Sequence, residues 1–177
     1  MEKFYQKMFV SLHHSPILKK VILIMNHYFP YILFFIYPAV LIYLFFNNQQ
    51  LFLSTLIKPM FAFIFVSVFR KVINRPRPYE IMDIDPLKRH KSGESFPSRH
   101  AMSAMIISLM CLDVHITLGI GCLIVAIFIC LSRILTGAHF ISDVLASVVI
   151  AIIIYLIWGE ERKCYQIYFK KFIIFLR

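Results

Sequence analysis

The chain has 177 residues, of which 60% are apolar, 16% aromatic and 16% charged, and it carries a formal net charge of +10 with a mean hydropathy of +0.76. Soluble domains carry about a quarter charged residues, and 18 Phe are more than one aqueous core of this size buries, so the composition excludes a soluble globular fold. With only five Gly and no polar low-complexity run, a long disordered tail or a flexible linker between two domains is excluded as well. What remains is an all-α integral membrane protein, a single domain over residues 1–177 with lipid as its main solvent. Its four Cys have no C-x-x-C spacing and three lie in apolar runs, which points to small buried side chains rather than zinc ligands or disulfides.

Residues 1–28 mix Lys3, Lys7, His13, His14, Lys19 and Lys20 with a periodic apolar set interrupted by Pro16. The segment lacks the long apolar stretch of a cleavable signal and suits an amphipathic helix in the interface. A span needs about 20 mainly apolar residues. Residues 29–46 fit one, the Asn47-Asn48-Gln49-Gln50 turn follows, and residues 51–69 return. Lys58 inside the second span reads as a lysine that snorkels or faces a neighbour. A third span is expected from 101 to 112, extending to 118, a fourth over 119–135 and a fifth over 140–158, with an interfacial tail over 159–177. The expected architecture is a compact bundle of about five to six helices, comprising five spans and the N-terminal amphipathic helix.

Counting through the bilayer, the ends of spans two and four and the starts of spans three and five share one face. Three polar segments meet there. Arg70, Lys71, Arg75 and Arg77 put four cations into eight residues before Pro76 and Pro78 stop the helix. A rigid arginine turn of this kind serves as a phosphate clamp or as a headgroup anchor. Ser98, Arg99 and His100 open span three, where free N–H groups and the helix dipole attract anions. His100 is placed there to pass a proton, or is simply a satisfied polar residue. Arg133 closes span four, and His139 and Asp143, four apart, would share a helical face so that the carboxylate holds the imidazole N–H. Asp113, at the opposite end of span three, reads as a solvated helix end. The run Lys88-Arg89-His90-Lys91 reads as a solvated loop that is able to steer anions.

Lys-x6-Arg-Pro, Pro-Ser-Gly-His and Ser-Arg-x5-His-x3-Asp are the three motifs of the type 2 phosphatidic acid phosphatase superfamily, and the segments from Arg70 to Asp143 resemble them in order and context. The third matches without departure. Arg70 takes the place of the first Lys, with Lys71 beside it, and Arg99 replaces the Gly of the second motif. The resemblance implies a metal-independent, cofactor-free lipid phosphatase in which His139 attacks phosphorus, Asp143 orients it and His100 serves as acid and base. Arg70, Arg77, Ser98, Arg99 and Arg133 would hold phosphate, with Lys71 and Arg75 as further candidates. Small size and five spans are similar to the bacterial undecaprenyl-pyrophosphate phosphatases of that superfamily, which implies a multi-pass cell-membrane protein with its site on the extracytoplasmic side.

Phosphatidylglycerophosphate, phosphatidic acid and other lipid phosphates are alternative substrates. Membrane lipids are the expected partners, with no nucleic acid and no obligate protein. A positive-inside count argues against the outward orientation, because 13 Lys and Arg fall on the motif face and five on the other. Two rivals come from other classes. One is a haem-binding electron carrier using His100, His115 or His139, and the other is a catalytically silent lipid-binding protein. Arg99, standing where the family pattern has a glycine, adds a donor for a second phosphate and so favours a diphosphate.

Overall fold

The computed structural model describes residues 2–157, and these are helical apart from short turns and one long connection over 82–98. Seven helices follow in order: α1 (Glu2–His14), α2 (Pro16–Asn47), α3 (Gln49–Ile73), the single turn α4 (Pro78–Ile81), α5 (Arg99–Val114), α6 (Ile116–Leu135) and α7 (Ile141–Ile157). By length and composition α2, α3 and α6 are able to cross a membrane. α5 has 16 residues, fewer than the roughly 20 of a typical span, and α7 is apolar over the 17 residues up to Ile157, where the described chain stops. The interfacial tail expected over 159–177 lies outside the described residues.

α5 is the hub and packs against α2, α3, α6 and α7. One apolar cluster joins Leu33, Val40 and Leu44 of α2 to Ala104 and Cys111 of α5 and Ile129 of α6. A second joins Ala62 and Val66 of α3 to Met102 and Ile106 of α5 and Ala151 of α7. Outside these seams large apolar side chains stay exposed, among them Phe35, Phe46, Val72 and Leu156, as expected where acyl chains replace water.

Two expected boundaries and one expected side-chain environment are corrected. The N-terminal segment is not one interfacial helix to residue 28. Ser15 accepts the Leu18 N–H on its Oγ at 3.4 Å and Pro16 takes the first helical position, an N-terminal signal that starts α2. From there α2 runs unbroken to Asn47. The break between the third and fourth spans falls at His115 rather than after residue 118, because His115 is extended (φ −157°, ψ 127°) and its carbonyl accepts the Gly119 N–H to begin α6. Asp113 is not merely a solvated end, since its Oδ1 accepts from the Tyr155 hydroxyl at 2.8 Å. The Tyr155 ring also carries the buried Lys58 ammonium 5.7 Å from its centroid.

Two internal prolines have a specific structural use. A proline cannot donate to the carbonyl four residues earlier, which frees that carbonyl for another helix. Pro59 frees Thr55 O, and the Tyr37 hydroxyl takes it at 2.8 Å. Pro30 frees Asn26 O, which accepts from Arg133 Nη2 at 3.3 Å. The second pair ties α2 to the polar end of the bundle.

α1 folds back over that same end. Tyr5, Phe9 and Leu12 are buried with Ile22 and Phe140, and with Met82, Ile84 and Leu87 packed around them. The Tyr5 hydroxyl accepts the Ile141 N–H at 2.9 Å, one of the free donors at the start of α7. Phe9 packs so closely on Gly137, at φ +79°, that a Cβ there would meet its ring at 3.0 Å.

Candidate active site

Four arginines gather at one end of the bundle from three elements. Arg70 comes from the last turn of α3, where Asn74 ends the helix in the left-handed region at φ 43° and donates its N–H back to Arg70 O. Arg75 and Arg77 lie on the extended stretch that Pro76 and Pro78 enforce, and Arg133 comes from the last turn of α6. Arg70, Arg77 and Arg133 are all buried. Buried cations need partners, and those found here are mostly carbonyls. Arg70 Nη1 donates to Pro97 O at 3.4 Å. Arg77 donates through Nε to Lys91 O at 2.9 Å and through Nη1 to Ala138 O at 2.8 Å. Carbonyls are neutral, so the positive field of the pocket persists. Nε of Arg70 and Nε of Arg133 are buried without an acceptor.

Asp143 is the carboxylate at the centre of this field, and it is fully buried. Its Oδ1 takes Arg75 Nη1 at 2.7 Å. Its Oδ2 accepts from Ser95 Oγ at 2.5 Å and from the Phe140 N–H at 2.9 Å. That last bond is the return half of a capping box, with Asp143 at the third helical position. Arg75 also donates to Ser142 Oγ at 3.0 Å and lies 4.3 Å above the Phe140 ring. Arg75 therefore spends its Nη1 in holding Asp143.

His139 does not sit on α7 with Asp143. It precedes the helix, in the loop that follows Gly137. Its Nδ1 lies 2.7 Å from the Ser95 carbonyl and 3.8 Å from Asp143 Oδ2. The imidazole N–H is thus received by a backbone carbonyl, and Asp143 acts on the ring through space and through Ser95. A carbonyl only accepts, so Nδ1 carries the proton and Nε2 keeps its lone pair. Burial holds this imidazole below its ordinary pKa, against the opposing pull of Asp143. A shift in this direction favours the neutral ring, the form able to act as a nucleophile.

Ser98 opens α5 without using its hydroxyl as a cap. Its N–H donates to Ser147 Oγ at 2.7 Å, and its own Oγ is buried and free of partners. Arg99 and His100 are exposed on the first turn of α5 and line a cavity of about 420 Å³. Its remaining wall is mostly apolar, with Pro30, Leu33, Phe34 and Phe63 contributed by α2 and α3. Arg99 thus turns toward this cavity. Lys71 is exposed and no contact among the described residues joins it to the pocket. His115 sits at the α5–α6 turn, 15 residues or roughly 22 Å along the helix from His100, so the two do not face a common ligand.

The connection between α4 and α5 is tied to the arginine stretch. Glu80 accepts the Arg77 N–H at 2.7 Å and the Gly93 N–H at 3.0 Å. Burial works against its charge, but these N–H groups, Ser92 and Arg77 hold its carboxyl below the ordinary range. Gly93 has φ +69°, and a Cβ there would displace Asn74 Oδ1, so both the backbone conformation and the close approach favour glycine. Ser95, Glu80 and Asn26 escaped the sequence reading. Asn26 had a legible signal in Pro30, four residues on, whereas Ser95 had none.

These features define a helical membrane protein with an anion-attracting His–Asp site at one end of its bundle. Residues 49–163 match the sequence pattern of the PAP2 superfamily, and the chain belongs to that family. Over 79 residues it is 38% identical to undecaprenyl-diphosphatase BcrC of Bacillus subtilis (strain 168), which covers 45% of this chain and 41% of that protein. The matched region is thus less than half the length of that relative. The fold is similar to the crystal structure of Aquifex aeolicus LpxE (TM-score 0.70, 23% identity, 88% of this chain and 92% of that one). It is also similar to a transmembrane PAP2-type phosphatidylglycerolphosphate phosphatase from Bacillus subtilis (TM-score 0.66, 24% identity, 92% of this chain and 84% of that one).

Proposed function

We propose that this protein is a metal-independent lipid phosphatase of the membrane, acting through a phosphohistidine on His139, with undecaprenyl pyrophosphate as its substrate and undecaprenyl phosphate as its product. The observation that carries the reading is the 2.7 Å contact of His139 Nδ1 with Ser95 O, which leaves Nε2 as a lone-pair donor among buried arginines. Nε2 attacks phosphorus, the P–O bond to the leaving group breaks, and His100 gives that oxygen its proton. His100 then takes a proton from water, whose oxygen displaces Nε2 and releases phosphate. Arg70, Arg77 and Arg133 take the charge that moves onto the non-bridging oxygens, as preorganised donors do in phosphoryl transfer. Ser98 Oγ offers a further hydrogen bond.

A lipid substrate is supported by the cavity below His100, whose apolar walls suit a hydrocarbon tail while the headgroup reaches the arginines. The match to an undecaprenyl-diphosphatase supports the diphosphate over phosphatidylglycerophosphate or phosphatidic acid. We read residues 1–177 as one catalytic domain with its pocket on the extracytoplasmic side. Labelling a cysteine introduced near Lys88 with an impermeant reagent tests the orientation.

The deciding experiment is phosphate release by purified protein from a panel of lipid mono- and diphosphates with excess chelator. Release from undecaprenyl pyrophosphate that persists in chelator is expected. Strict dependence on a divalent cation, or no release from any lipid, overturns the reading. Arg99 separates substrates within the panel. Because its guanidinium faces the cavity, Arg99→Gly should lower the preference for diphosphate over monophosphate roughly tenfold, the worth of one charge-assisted hydrogen bond. An unchanged ratio in a kcat/KM comparison would remove Arg99 from the specificity determinants.

A further inference from the structure

His90 lies in the run between Lys88 and Lys91 that composition alone marks as solvated, yet it is half-buried and fixed with unusual care. The Tyr79 hydroxyl donates to His90 O at 2.8 Å and accepts the His90 N–H at 3.1 Å. The next carbonyl, Lys91 O, is held by Arg77 Nε at 2.9 Å. The backbone on both sides of the ring is thereby pinned to the phosphate-binding stretch. Nε2 of the ring is buried without a partner. The groups that bear on it are Arg77, Arg133, Lys88 and His139, and the ring bears in turn on His100. Lys88 lies on the same connection, and the others come from α5, α6, the loop before α7 and the arginine turn, so the imidazole sits where the elements of the site converge.

We propose that His90 is a substrate-contacting residue that takes up a proton as the phosphoryl group enters and donates its Nε2–H to a non-bridging oxygen. This rests on the phosphatase reading and adds a third imidazole to the site. The chemistry follows from the surroundings. Burial, and after it the cations of Arg77, Arg133 and Lys88, hold the free imidazole down to about 4, so it is neutral at pH 7. An entering dianion reverses the local field and favours the charged form. A solvent proton then converts an unpartnered ring nitrogen into a charge-assisted donor. Tyr79 also touches His90, but its hydroxyl is engaged with the His90 backbone.

Sulfate is the probe, since it stays a dianion between pH 5 and 8 and is not turned over. Calorimetry of sulfate binding to the full-length protein in detergent, at pH 6 in two buffers of different ionisation enthalpy, gives affinity and proton uptake together. His90→Gln should weaken sulfate roughly tenfold and reduce the proton uptake relative to wild type. Tyr79→Phe, which loosens the mount and keeps the imidazole, should retain the uptake. Unchanged affinity and uptake in His90→Gln overturns the proposal. So does weaker binding with unchanged uptake, which makes His90 a brace for the loop. Because the readout needs no turnover, its failure is distinct from a failure to release phosphate from lipid, and a wild type that does not bind sulfate counts against both.

Discussion

Replacing His139 by Ala is expected to lower phosphate release by about five orders of magnitude, the scale seen when a catalytic nucleophile or its partner base is removed. The reasoning is geometric. Of the two nitrogens of this ring, Nε2 keeps its lone pair among the arginines, and Nδ1 is committed to Ser95 O. Ala leaves the arginines, Ser98 and the cavity in place, so lipid should still bind while no P–N bond forms. Acid lability of a phosphoenzyme trapped from wild type, and its absence from His139→Ala, checks the point directly. His100→Ala gives the complementary result. With an activated ester whose leaving group needs no proton, His139 should still be phosphorylated, and the intermediate should accumulate because water lacks its base. A steady rate without a burst in His100→Ala would assign the proton transfers elsewhere.

Asp143→Ala should cost both activity and folding. The carboxylate is the only acceptor shown for Ser95 Oγ and for the Phe140 N–H, and it faces Arg75 at 2.7 Å. Removing one partner of a buried ion pair costs about 3–5 kcal/mol, with unsatisfied donors adding to it. Asp143→Asn is more informative. The amide has one acceptor oxygen, so either Arg75 or the Ser95–Phe140 pair must face an NH2 group. Ser95 carries the carbonyl that holds His139, so a shift there moves the nucleophile. The expected loss for Asn is about 10³- to 10⁴-fold in kcat with a smaller loss of stability, measured by phosphate release and by thermal unfolding in detergent. Retention of kcat in Asp143→Asn would show that Ser95 orients His139 without help.

The sequence made the convergence of the site legible because its signals are strong in an apolar chain. Two prolines after Arg75 stop α3, and Ser98, Arg133, His139 and Asp143 are polar groups gathered at the ends of strongly apolar segments, where ionisable side chains near lipid need partners. The order of the helices followed from hydropathy. What holds His139 did not follow. A spacing of four invites a helical pairing with Asp143, but α7 begins only at Ile141, so the spacing is spent partly in a loop. The true acceptor is a backbone carbonyl 44 residues away, and a carbonyl leaves no mark in composition. Arg75 and Asp143 are 68 residues apart, and such a pair becomes visible only once three helices are placed. The prolines at 30 and 59 show the opposite case, in which a local covalent fact forecast where a spare acceptor would appear.

The hydroxyl of Tyr5 on the Ile141 N–H joins positions 136 residues apart, and it closes the shell behind the catalytic loop. α1 is made before α7, and Tyr5 and Phe9 find their places only once α7 and the loop before it are in position. Contacts of such long separation form late. A chain in which α7 has not yet docked therefore lacks the support that α1 gives to the loop carrying His139.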